Sequence, residues 1–151
     1  MARAKPLAQV AAIPWRRSPD GLIEVLLVST RCGRWTLPKG GIKRGATATL
    51  TAEAEALEEA GVLGRASGPP LGQASFVKRG RLHEVIGYEL RVTRLLPRWE
   101  EEDRRVRAWV GIAEAEQLLR RPELRALVRE LRRRLLVGAA GAGRAGAVRV
   151  A

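Results

Sequence analysis

The sequence predicts a single α/β domain in which a mixed β-sheet carries helices on both of its faces. Strand-forming segments lie on both sides of one helix-forming segment, and two more helical segments follow near the end of the chain. With 151 residues and a hydrophobic fraction of 46%, the chain is large enough to bury one core. No apolar run approaches the ~20 residues that cross a bilayer, so no membrane partner is expected.

The domain is expected to occupy residues 9–137, between a disordered basic leader (residues 1–8) and a disordered tail of Gly, Ala and Arg (residues 138–151). The tail lacks the large apolar side chains that a packed core needs. The single cysteine, Cys32, cannot form an internal disulfide and suits a reducing compartment. We therefore expect a cytoplasmic protein.

The strands that precede the central helix are predicted from apolar runs that stop at turn residues. Residues 9–13 form a strand that Pro14 ends, and the turn-forming sequence Ser-Pro-Asp-Gly follows at 18–21. Residues 22–30 are almost continuously aliphatic, which is typical of a strand buried on both faces. A third strand, at 35–37, then leads into a glycine-rich loop.

The central helix is predicted at residues 48–60, where good helix formers follow one another without Gly or Pro. Thr47 can cap its start through the side-chain hydroxyl, and Gly61 suits the left-handed residue that follows a helix. Because successive residues turn by ~100°, Leu50 and Leu57 lie on nearly the opposite side from three glutamates. We therefore expect the leucines to enter the core and the glutamates to face the glycine-rich loop.

The three glutamates, Glu55, Glu58 and Glu59, give the helix an acidic face. Like charges at these spacings repel one another by roughly a few tenths of a kcal/mol, and the helix itself contains no Lys or Arg. Mg²⁺ or Mn²⁺ would relieve the repulsion, because both ions prefer carboxylate, carbonyl and phosphate oxygens. A solvated acidic face is the alternative. The adjoining loop, with Lys39 and Lys43, favours a metal site.

The second half of the chain is predicted to add a hairpin, one more strand and two helices. An apolar stripe at helical spacing should hold the last helix against the sheet. The stripe consists of Leu124, Leu127, Val128, Leu131 and Leu135. The expected segments are a loop at 64–70, hairpin strands at 71–78 and 82–93 joined at 79–81, a strand at 106–110, a helix at 112–119 and a helix from Pro122 onward.

The glycine-rich loop and the acidic helix together resemble the signature box of the Nudix hydrolases. The preceding sequence at 35–41, Trp-Thr-Leu-Pro-Lys-Gly-Gly, is similar to the family's usual approach to that box. Two positions differ, because Ala46 stands where the family has Glu and Ala54 where it has an Arg that braces the carboxylates. The positions that match the box are Gly40, Glu55, Glu58, Glu59, Gly61 and Val62.

The resemblance covers roughly residues 7–136 and implies an α/β/α sandwich. It also implies a hydrolase of pyrophosphate bonds that uses Mg²⁺ or Mn²⁺, in which water attacks at phosphorus, with activity reduced by the two departures from the box. Glu55, Glu58 and Glu59 would be the catalytic side chains and metal ligands, and the Gly40 carbonyl would be a backbone ligand.

Nudix enzymes often add a carboxylate from a later loop, and the resemblance therefore draws attention to the acidic cluster near residue 100. Glu100, Glu101 and Glu102 are the nearest candidates, with Glu84 as a second choice. The alternative for this cluster is surface pairing with the basic residues at 104–107. The sequence leaves both open.

Basic residues near the box are expected to hold substrate phosphates, although each could also be an ordinary solvated charge. The net charge of +12 favours a polyanionic partner. The sequences at 38–41 and 95–99 are similar to those of enzymes that act on diphosphoinositol polyphosphates and dinucleoside polyphosphates. The residues expected to bind phosphate are Arg34, Lys39, Lys43, Arg44 and Lys78.

A second function stays open, namely a Nudix-fold module that binds RNA or a nucleotide ligand and has lost catalytic power with Ala46 and Ala54. Retention of all three helical glutamates favours the enzyme, because a pure binding module has no need to keep repelling carboxylates together. His83, the only histidine, is expected to make a structural hydrogen bond rather than to carry protons. The oligomeric state is left open, with a dimer among the options.

Overall fold

The computed structural model describes residues 4–141, with side chains to residue 138. Its helices are α1 (Ala48–Ala60), α2 (Ile112–Leu118) and α3 (Pro122–Gly141). Its strands are β1 (Leu7–Arg17), β2 (Ile23–Ser29), β3 (Trp35–Thr36), β4 (Lys39–Gly41), β5 (Val62–Lys78), β6 (Arg81–Leu95) and β7 (Arg107–Gly111).

All of these strands belong to one mixed sheet, and helices cover both faces. The order is β3-β2-β1-β6-β5, with β4 also paired to β1 and β7 to β2. Strands β1 and β6 run parallel, while the other pairs are antiparallel. Helix α1 packs over a buried cluster that includes Val10, Ala12 and Leu26, whereas α3 packs over one that includes Ile13 and Val25. The predicted α/β/α sandwich is confirmed.

Strand β1 continues through Pro14 to Arg17, whereas the sequence predicts that the proline ends the strand. The proline is tolerated because β1 changes its antiparallel partner at this point. Residues 9–11 pair with β4 and residues 15–17 pair with β2, so no ladder bond on that side requires the missing N–H. On the other side, Pro14 lies opposite Leu90 of the parallel strand β6.

The predicted loop at 64–70 is wrong, because these residues belong to β5. This strand lies at the edge of the sheet, and its register against β6 shifts between Ser67 and Gly72. A bulge on an edge strand accommodates the Gly-Pro-Pro sequence that suggested a loop. The hairpin that follows is as predicted, with Arg79 and Gly80 forming a tight turn at φ values of 52° and 75°.

Helix α1 has the predicted bounds and caps. Thr47 Oγ1 accepts a hydrogen bond from the Leu50 backbone N–H at 3.2 Å. Gly61 adopts the left-handed conformation with a φ of 65° and donates its N–H to carbonyls of the last turn, including that of Leu57.

The predicted orientation of α1 is wrong for the leucines, whereas Glu55 and Glu59 face the glycine-rich loop as expected. Leu50 and Leu57 are 57% and 37% exposed, so the leucines do not enter the core. Glu55 and Glu59 lie on the buried side of the helix instead. The small side chains that pack against the sheet allow a close approach, and they leave room for the carboxylates beside them. The fully buried residues at this contact are Ala52, Ala56 and Ala60.

The apolar stripe of α3 packs against the sheet as predicted, with Leu135 at its partly buried end. Among the residues described, no helix combines the length and the apolarity needed to cross a bilayer. The buried members of the stripe are Leu124, Leu127, Val128 and Leu131.

At both ends, the described elements extend past the predicted domain boundaries. Strand β1 begins at Leu7, inside the segment 1–8 that is predicted to be a disordered leader. Helix α3 continues to Gly141, inside the predicted tail at 138–151. Pairing with β6 and continuation of the helical hydrogen bonds order these residues. Residues 1–3 and 142–151 lie outside the described part, so the remainder of both predictions falls there.

Candidate functional site

The glycine-rich loop lies directly against the two buried glutamates of α1. The Lys39 backbone N–H donates a hydrogen bond to Glu59 Oε1 at 3.1 Å. A Cβ atom at Gly40 would collide with the Glu55 carboxylate, so only glycine leaves room for that side chain. Pairing of Gly40 with Val10 of β1 holds the loop in this position. The loop backbone and the two carboxylates form the centre of the candidate site.

The two central carboxylates are unusual because they are buried. Glu55 and Glu59 are 9% and 7% exposed. Burial raises the pKa of Glu59 to about 7, although Arg105 and the Lys39 N–H act in the opposite direction. Burial also raises the pKa of Glu55, and the neighbouring Glu58 carboxylate adds to this effect. Added positive charge would stabilise both carboxylates, so the site favours a cation.

Glu58 lies at the rim of the site, where its side chain is 32% exposed. Its carboxylate is 3.8 Å from Lys43 Nζ, and the Lys43 side chain is 78% exposed. An exposed pair of this kind contributes less than about 1 kcal/mol. Glu58 can therefore exchange Lys43 for another cation at little cost.

The loop at 96–106, between β6 and β7, covers the end of α1 and adds a fourth carboxylate. The Glu101 backbone N–H donates a hydrogen bond to the Glu58 carbonyl at 3.1 Å. The Glu101 side chain lies close enough to raise the pKa of both Glu55 and Glu59. The structure thus selects one acidic residue of this loop as a member of the site.

The other two acidic candidates of the loop lie outside the site. Glu102 accepts a hydrogen bond from Arg98 Nε at 2.8 Å, in a pair whose Arg98 side chain is 83% exposed. Glu100 is exposed. For these two residues the structure agrees with the surface alternative.

Arg105 joins the loop to α1, although the sequence predicts only surface pairing for it. Its Nη2 donates to Glu59 Oε2 at 3.0 Å, and its Nε donates to Glu101 Oε1 at 2.8 Å. Its Nη1 donates to the Ser29 carbonyl at 2.9 Å. The spacing of Glu101 and Arg105 is visible in the sequence. The contact with Glu59 is not, because it depends on how the loop folds over the helix.

Arg107 fixes the same loop to the C-terminal end of α1. Its Nη1 donates to the Ala60 carbonyl at 2.9 Å, and its Nη2 donates to the Leu96 carbonyl at 2.7 Å. The guanidinium carbon is 3.9 Å from the ring centroid of Trp99. A cation at this helix end satisfies free carbonyls and interacts favourably with the helix dipole. These contacts hold Glu101 over the site.

Lys39 contributes its side chain as well as its backbone. The ammonium group donates a hydrogen bond to Thr36 Oγ1 at 3.0 Å. Burial lowers the pKa of Lys39 to about 8; Glu59 opposes this shift, while nearby cations, including Lys78 and Arg121, add to it. An anion bound near this amine would favour its charged form.

A second group of side chains lies near the exposed Lys78, whose charge lowers the pKa of both Lys39 and His83. The His83 ring stacks on Phe76 with a centroid distance of 5.3 Å, and the Arg121 guanidinium is 4.1 Å from the Phe76 centroid. His83 Nδ1 is 3.2 Å from Gln9 Oε1, which is the structural hydrogen bond expected from the sequence. Burial and cations that include Lys78 and Arg121 lower the pKa of His83. We call Lys39, Lys78 and Arg121 the basic cluster.

The remaining basic candidates lie farther out. Arg34 and Arg44 are exposed, and the Arg34 backbone N–H donates to Thr30 Oγ1 at 3.1 Å in the turn before β3. The ion pairs of the helical glutamates are made by Lys43 and Arg105 instead. Among the described residues, neither Arg34 nor Arg44 forms an ion pair with a glutamate of α1.

The residues of the site fit a divalent cation in their chemistry, although they do not form a closed cage. Within residues 4–141, no three acidic, histidine or cysteine side chains already converge on one point. The Glu55 carboxylate nevertheless lies beside the Gly40 backbone, which brings two kinds of oxygen donor together. Mg²⁺ accepts both kinds and usually completes its shell with water and phosphate oxygens. The site therefore fits an ion that its substrate helps to hold.

Comparison with known proteins identifies the family to which the chain is similar. A family model described as NUDIX domain matches residues 6–131. A relative from Arabidopsis thaliana, Nudix hydrolase 17, mitochondrial, is 36% identical over an alignment of 120 positions that covers 74% of this chain and 65% of the relative. The chain thus spans slightly less than two thirds of that relative's length.

Two solved structures share the fold at lower identity. The C. elegans Ap4A hydrolase is 19% identical with a TM-score of 0.71, covering 87% of this chain and 99% of that one. The NUDIX domain of Shewanella oneidensis NrtR, solved in complex with ADP ribose, is 18% identical with a TM-score of 0.70. That comparison covers 88% of this chain and 90% of the other. These likenesses establish the fold alone.

Proposed function

Given that this chain belongs to the Nudix family, we propose that it hydrolyses a pyrophosphate bond in a phosphorylated small molecule, with Mg²⁺ or Mn²⁺ as the cofactor. The packing of two buried glutamates against the glycine-rich loop carries the proposal. Glu55 lies against Gly40, and Glu59 accepts the Lys39 N–H. Burying acids side by side is costly without a compensating cation, so a metal-bound substrate explains the arrangement best.

The carboxylates have distinct tasks within this proposal. The Lys39 N–H and the Arg105 guanidinium hold both oxygens of Glu59, so that this carboxylate has one orientation. When bound, the ion neutralises phosphate charge and acidifies a coordinated water. The residues proposed to hold it are Glu55, Glu58, Glu59 and, through its carbonyl, Gly40.

Glu101 is proposed to accept a proton from the attacking water. The contact between its backbone and Glu58 places it over the end of α1, close to the buried carboxylates. Arg105 holds one of its oxygens at 2.8 Å, which leaves the other oxygen outside this ion pair. A positioned carboxylate of this kind contributes roughly 100-fold or more to proton transfer.

The substrate is proposed to be dense in phosphate, of the dinucleoside polyphosphate or diphosphoinositol polyphosphate type. In the basic cluster, the charges of Lys78 and Arg121 lower the pKa of the partly buried Lys39, and an anion would relieve this repulsion. Lys43 would contact a phosphate near the rim, and Arg34 and Arg44 would contact more distant ones.

The proposal is tested by a product screen with Mg²⁺ and with Mn²⁺. The candidate substrates are dinucleoside polyphosphates, diphosphoinositol polyphosphates, nucleoside triphosphates, nucleotide sugars and capped RNA. We expect hydrolysis of one of the first two classes and its loss in EDTA. The Glu58→Gln variant controls for a contaminating hydrolase. A folded protein that cleaves none of the substrates with either metal would refute the proposal.

A second candidate function is a module that binds RNA or a nucleotide ligand. Arg105 already neutralises Glu59 at 3.0 Å, and Ala46 and Ala54 occupy two positions of the box, which favours weakened catalysis. The NrtR domain in complex with ADP ribose offers a parallel for nucleotide binding. This candidate predicts RNA binding that needs no Mg²⁺ and weakens steeply with salt. Salt-insensitive or undetectable binding would exclude RNA as the ligand.

The cytoplasm is proposed as the compartment. Cys32 is exposed and free, which suits a reducing environment. The Arabidopsis relative carries the word mitochondrial in its name, so the two compartments should be distinguished by fractionation. Recovery of the native protein with mitochondria would reject the cytoplasmic location.

A further inference from the structure

We propose that Arg105 is a positioning residue that holds Glu59 and Glu101 in a fixed relation to each other. Its effect depends on the geometry of the guanidinium and not on the positive charge alone. The inference rests on the proposed function, since the two carboxylates are thought to act together on a metal-bound substrate.

The three hydrogen bonds of Arg105 reach three separate parts of the fold. Nη2 contacts Glu59 on α1, Nε contacts Glu101 on the loop at 96–106, and Nη1 contacts the carbonyl of Ser29 at the end of β2. A guanidinium is planar, and its donors point in fixed directions. Three simultaneous bonds therefore set the positions of both carboxylates relative to the sheet.

The anchor for this arrangement is the end of β2, where Ser29 is joined to Val106 by two hydrogen bonds. The Ser29 N–H donates to the Val106 carbonyl at 2.9 Å, and the Val106 N–H donates to Ser29 Oγ at 2.8 Å. Arg105 lies next to Val106, and its side chain is 20% exposed. The guanidinium thus extends from the part of the loop that is hydrogen-bonded to the sheet through Val106.

The brace comes from the loop because α1 has no basic residue to supply it. No Lys or Arg occurs between Ala48 and Ala60. Glu59 already accepts the Lys39 N–H on Oε1, and Arg105 binds Oε2. Each carboxylate oxygen has two acceptor positions. Both oxygens of Glu59 can therefore be oriented by these donors and still have a position left for a metal ion.

A different role would be that of an internal counter-ion, in which the charge of Arg105 takes the place of the metal. The two roles predict opposite results when the guanidinium is removed. A positioning residue helps the glutamates to bind a metal, so its loss weakens metal binding. A counter-ion competes with the metal, so its loss strengthens metal binding.

The test compares Arg105→Met and Arg105→Lys with a matched control, Arg98→Met. Arg98 makes the same type of pair with Glu102, four residues along the same loop, but it points to solvent. The Mn²⁺ affinity is measured by electron paramagnetic resonance without substrate, and kcat, KM and Tm are measured alongside. Arg105→Lys keeps the charge and lacks the forked geometry.

For Arg105→Met we expect Mn²⁺ binding to weaken ~10-fold and kcat to fall ~10- to 100-fold, the range seen when groups that orient metal ligands are removed. KM should change by less than about twofold, because Arg105 is not proposed to touch the substrate. Arg105→Lys should recover only a small part of the loss, and Arg98→Met should match the wild type in Mn²⁺ affinity and kcat.

Tighter Mn²⁺ binding by Arg105→Met, or full activity of Arg105→Lys, would overturn the positioning role. A wild-type protein that binds Mn²⁺ but hydrolyses no substrate would remove the proposed function, and the Mn²⁺ titrations of the variants would still decide the role of Arg105. A wild-type protein that binds no Mn²⁺, either alone or with methylenediphosphonate as a non-hydrolysable pyrophosphate analogue, would overturn both.

Discussion

The Gly40 backbone lies so close to the Glu55 carboxylate that a Cβ atom at position 40 would occupy the place of the carboxylate. The next glycine, Gly41, has ordinary room, since a Cβ there would come no nearer than 3.7 Å, to the Ala8 carbonyl. Two neighbouring glycines of one strand therefore differ in what they permit. A side chain at position 40 would disturb the candidate site, whereas a small side chain at position 41 would disturb neither the site nor the fold.

Gly40→Ala should abolish most of the activity while leaving the fold largely intact. The group it meets is the end of a flexible side chain, so Glu55 moves away and the backbone does not. We expect at least a ~100-fold loss of kcat, the scale of a lost interaction with the reacting phosphate. Gly41→Ala is the control and should keep its activity within about threefold. Equal activity of the two variants would show that Glu55 is not needed in its present place.

Glu58→Gln should lower hydrolysis by ~100-fold or more, because it removes a negative charge that the metal ion needs. The amide keeps the size of the side chain, so Tm should change little. Glu53→Gln, on the same helix, is the matched control. Initial rates at saturating Mg²⁺ provide the measurement. Unchanged turnover of Glu58→Gln would refute the role assigned to this residue.

The sequence predicts the position and caps of α1 but not the side that it buries. The prediction assumes that the largest apolar residues, Leu50 and Leu57, face the core. In the structure, alanines face the sheet and the leucines are partly or largely exposed. Close packing of a helix against a sheet can favour small side chains over large apolar ones. A helical-wheel projection cannot reveal which side of α1 is buried, because that depends on the shape of the opposing sheet surface.

Among the three loop acids, only Glu101 should matter for catalysis. Glu101→Gln should reduce kcat at least ~100-fold, because a neutral amide is a poor proton acceptor. Glu100→Gln and Glu102→Gln should stay within about twofold of the wild type, since these side chains lie away from the site. The three variants are compared by kcat in the same buffer. A larger loss in Glu100→Gln or Glu102→Gln would reject the choice of Glu101.

The sequence alone does not predict which of the three loop glutamates belongs to the site. Glu100, Glu101 and Glu102 are identical and consecutive, so spacing cannot distinguish them. The choice is made by backbone contacts of the loop, in particular by the Glu101 N–H on the Glu58 carbonyl. The role of Arg105 depends on the same fold, because its partner Glu59 lies 46 positions away in sequence.

Substrate binding should weaken above pH 8 through Lys39. Its pKa is lowered to about 8, so the ammonium loses its charge as the pH rises past this value. The loss of one charged contact to phosphate, about 1.5 kcal/mol, should raise KM ~10-fold. In Lys39→Arg the charge persists and KM should stay flat to about pH 9.5. The measurement is KM against pH, and parallel curves for both proteins would contradict this role.

Lys39 also affects stability, and here a higher pH is favourable, whereas for substrate binding it is unfavourable. Its folded pKa lies below the ordinary 10.5, so between about pH 8 and pH 10.5 the unfolded chain binds more protons. The free energy of unfolding therefore rises with pH in this window. Wild type should gain stability there relative to Lys39→Arg in urea titrations. The absence of any gain would show that the amine is not buried in solution.

The stability of the metal-free protein should fall between about pH 4.5 and pH 7 because of Glu59. Its pKa is raised from 4.5 to about 7, mainly by burial, so the folded state holds a proton that the unfolded state has lost. This contribution is complete below pH 4.5 and is lost as the pH rises through 7, with a total on the order of 3 kcal/mol. Glu59→Gln cannot ionise at this position. The difference between wild type and Glu59→Gln in free energy of unfolding against pH, measured by urea denaturation, therefore isolates the contribution of Glu59. Glu114→Gln on α2 serves as an exposed control.

Added Mn²⁺ provides a second measurement on the same two proteins. Because Mn²⁺ binds the ionised carboxylate, it should raise the Tm of the wild type more at pH 8 than at pH 5.5, and it should raise the Tm of Glu59→Gln less. If Glu59→Gln showed the same pH dependence of the free energy of unfolding and the same Mn²⁺-induced shifts in Tm as the wild type, this carboxylate would neither titrate in the folded protein nor hold the metal.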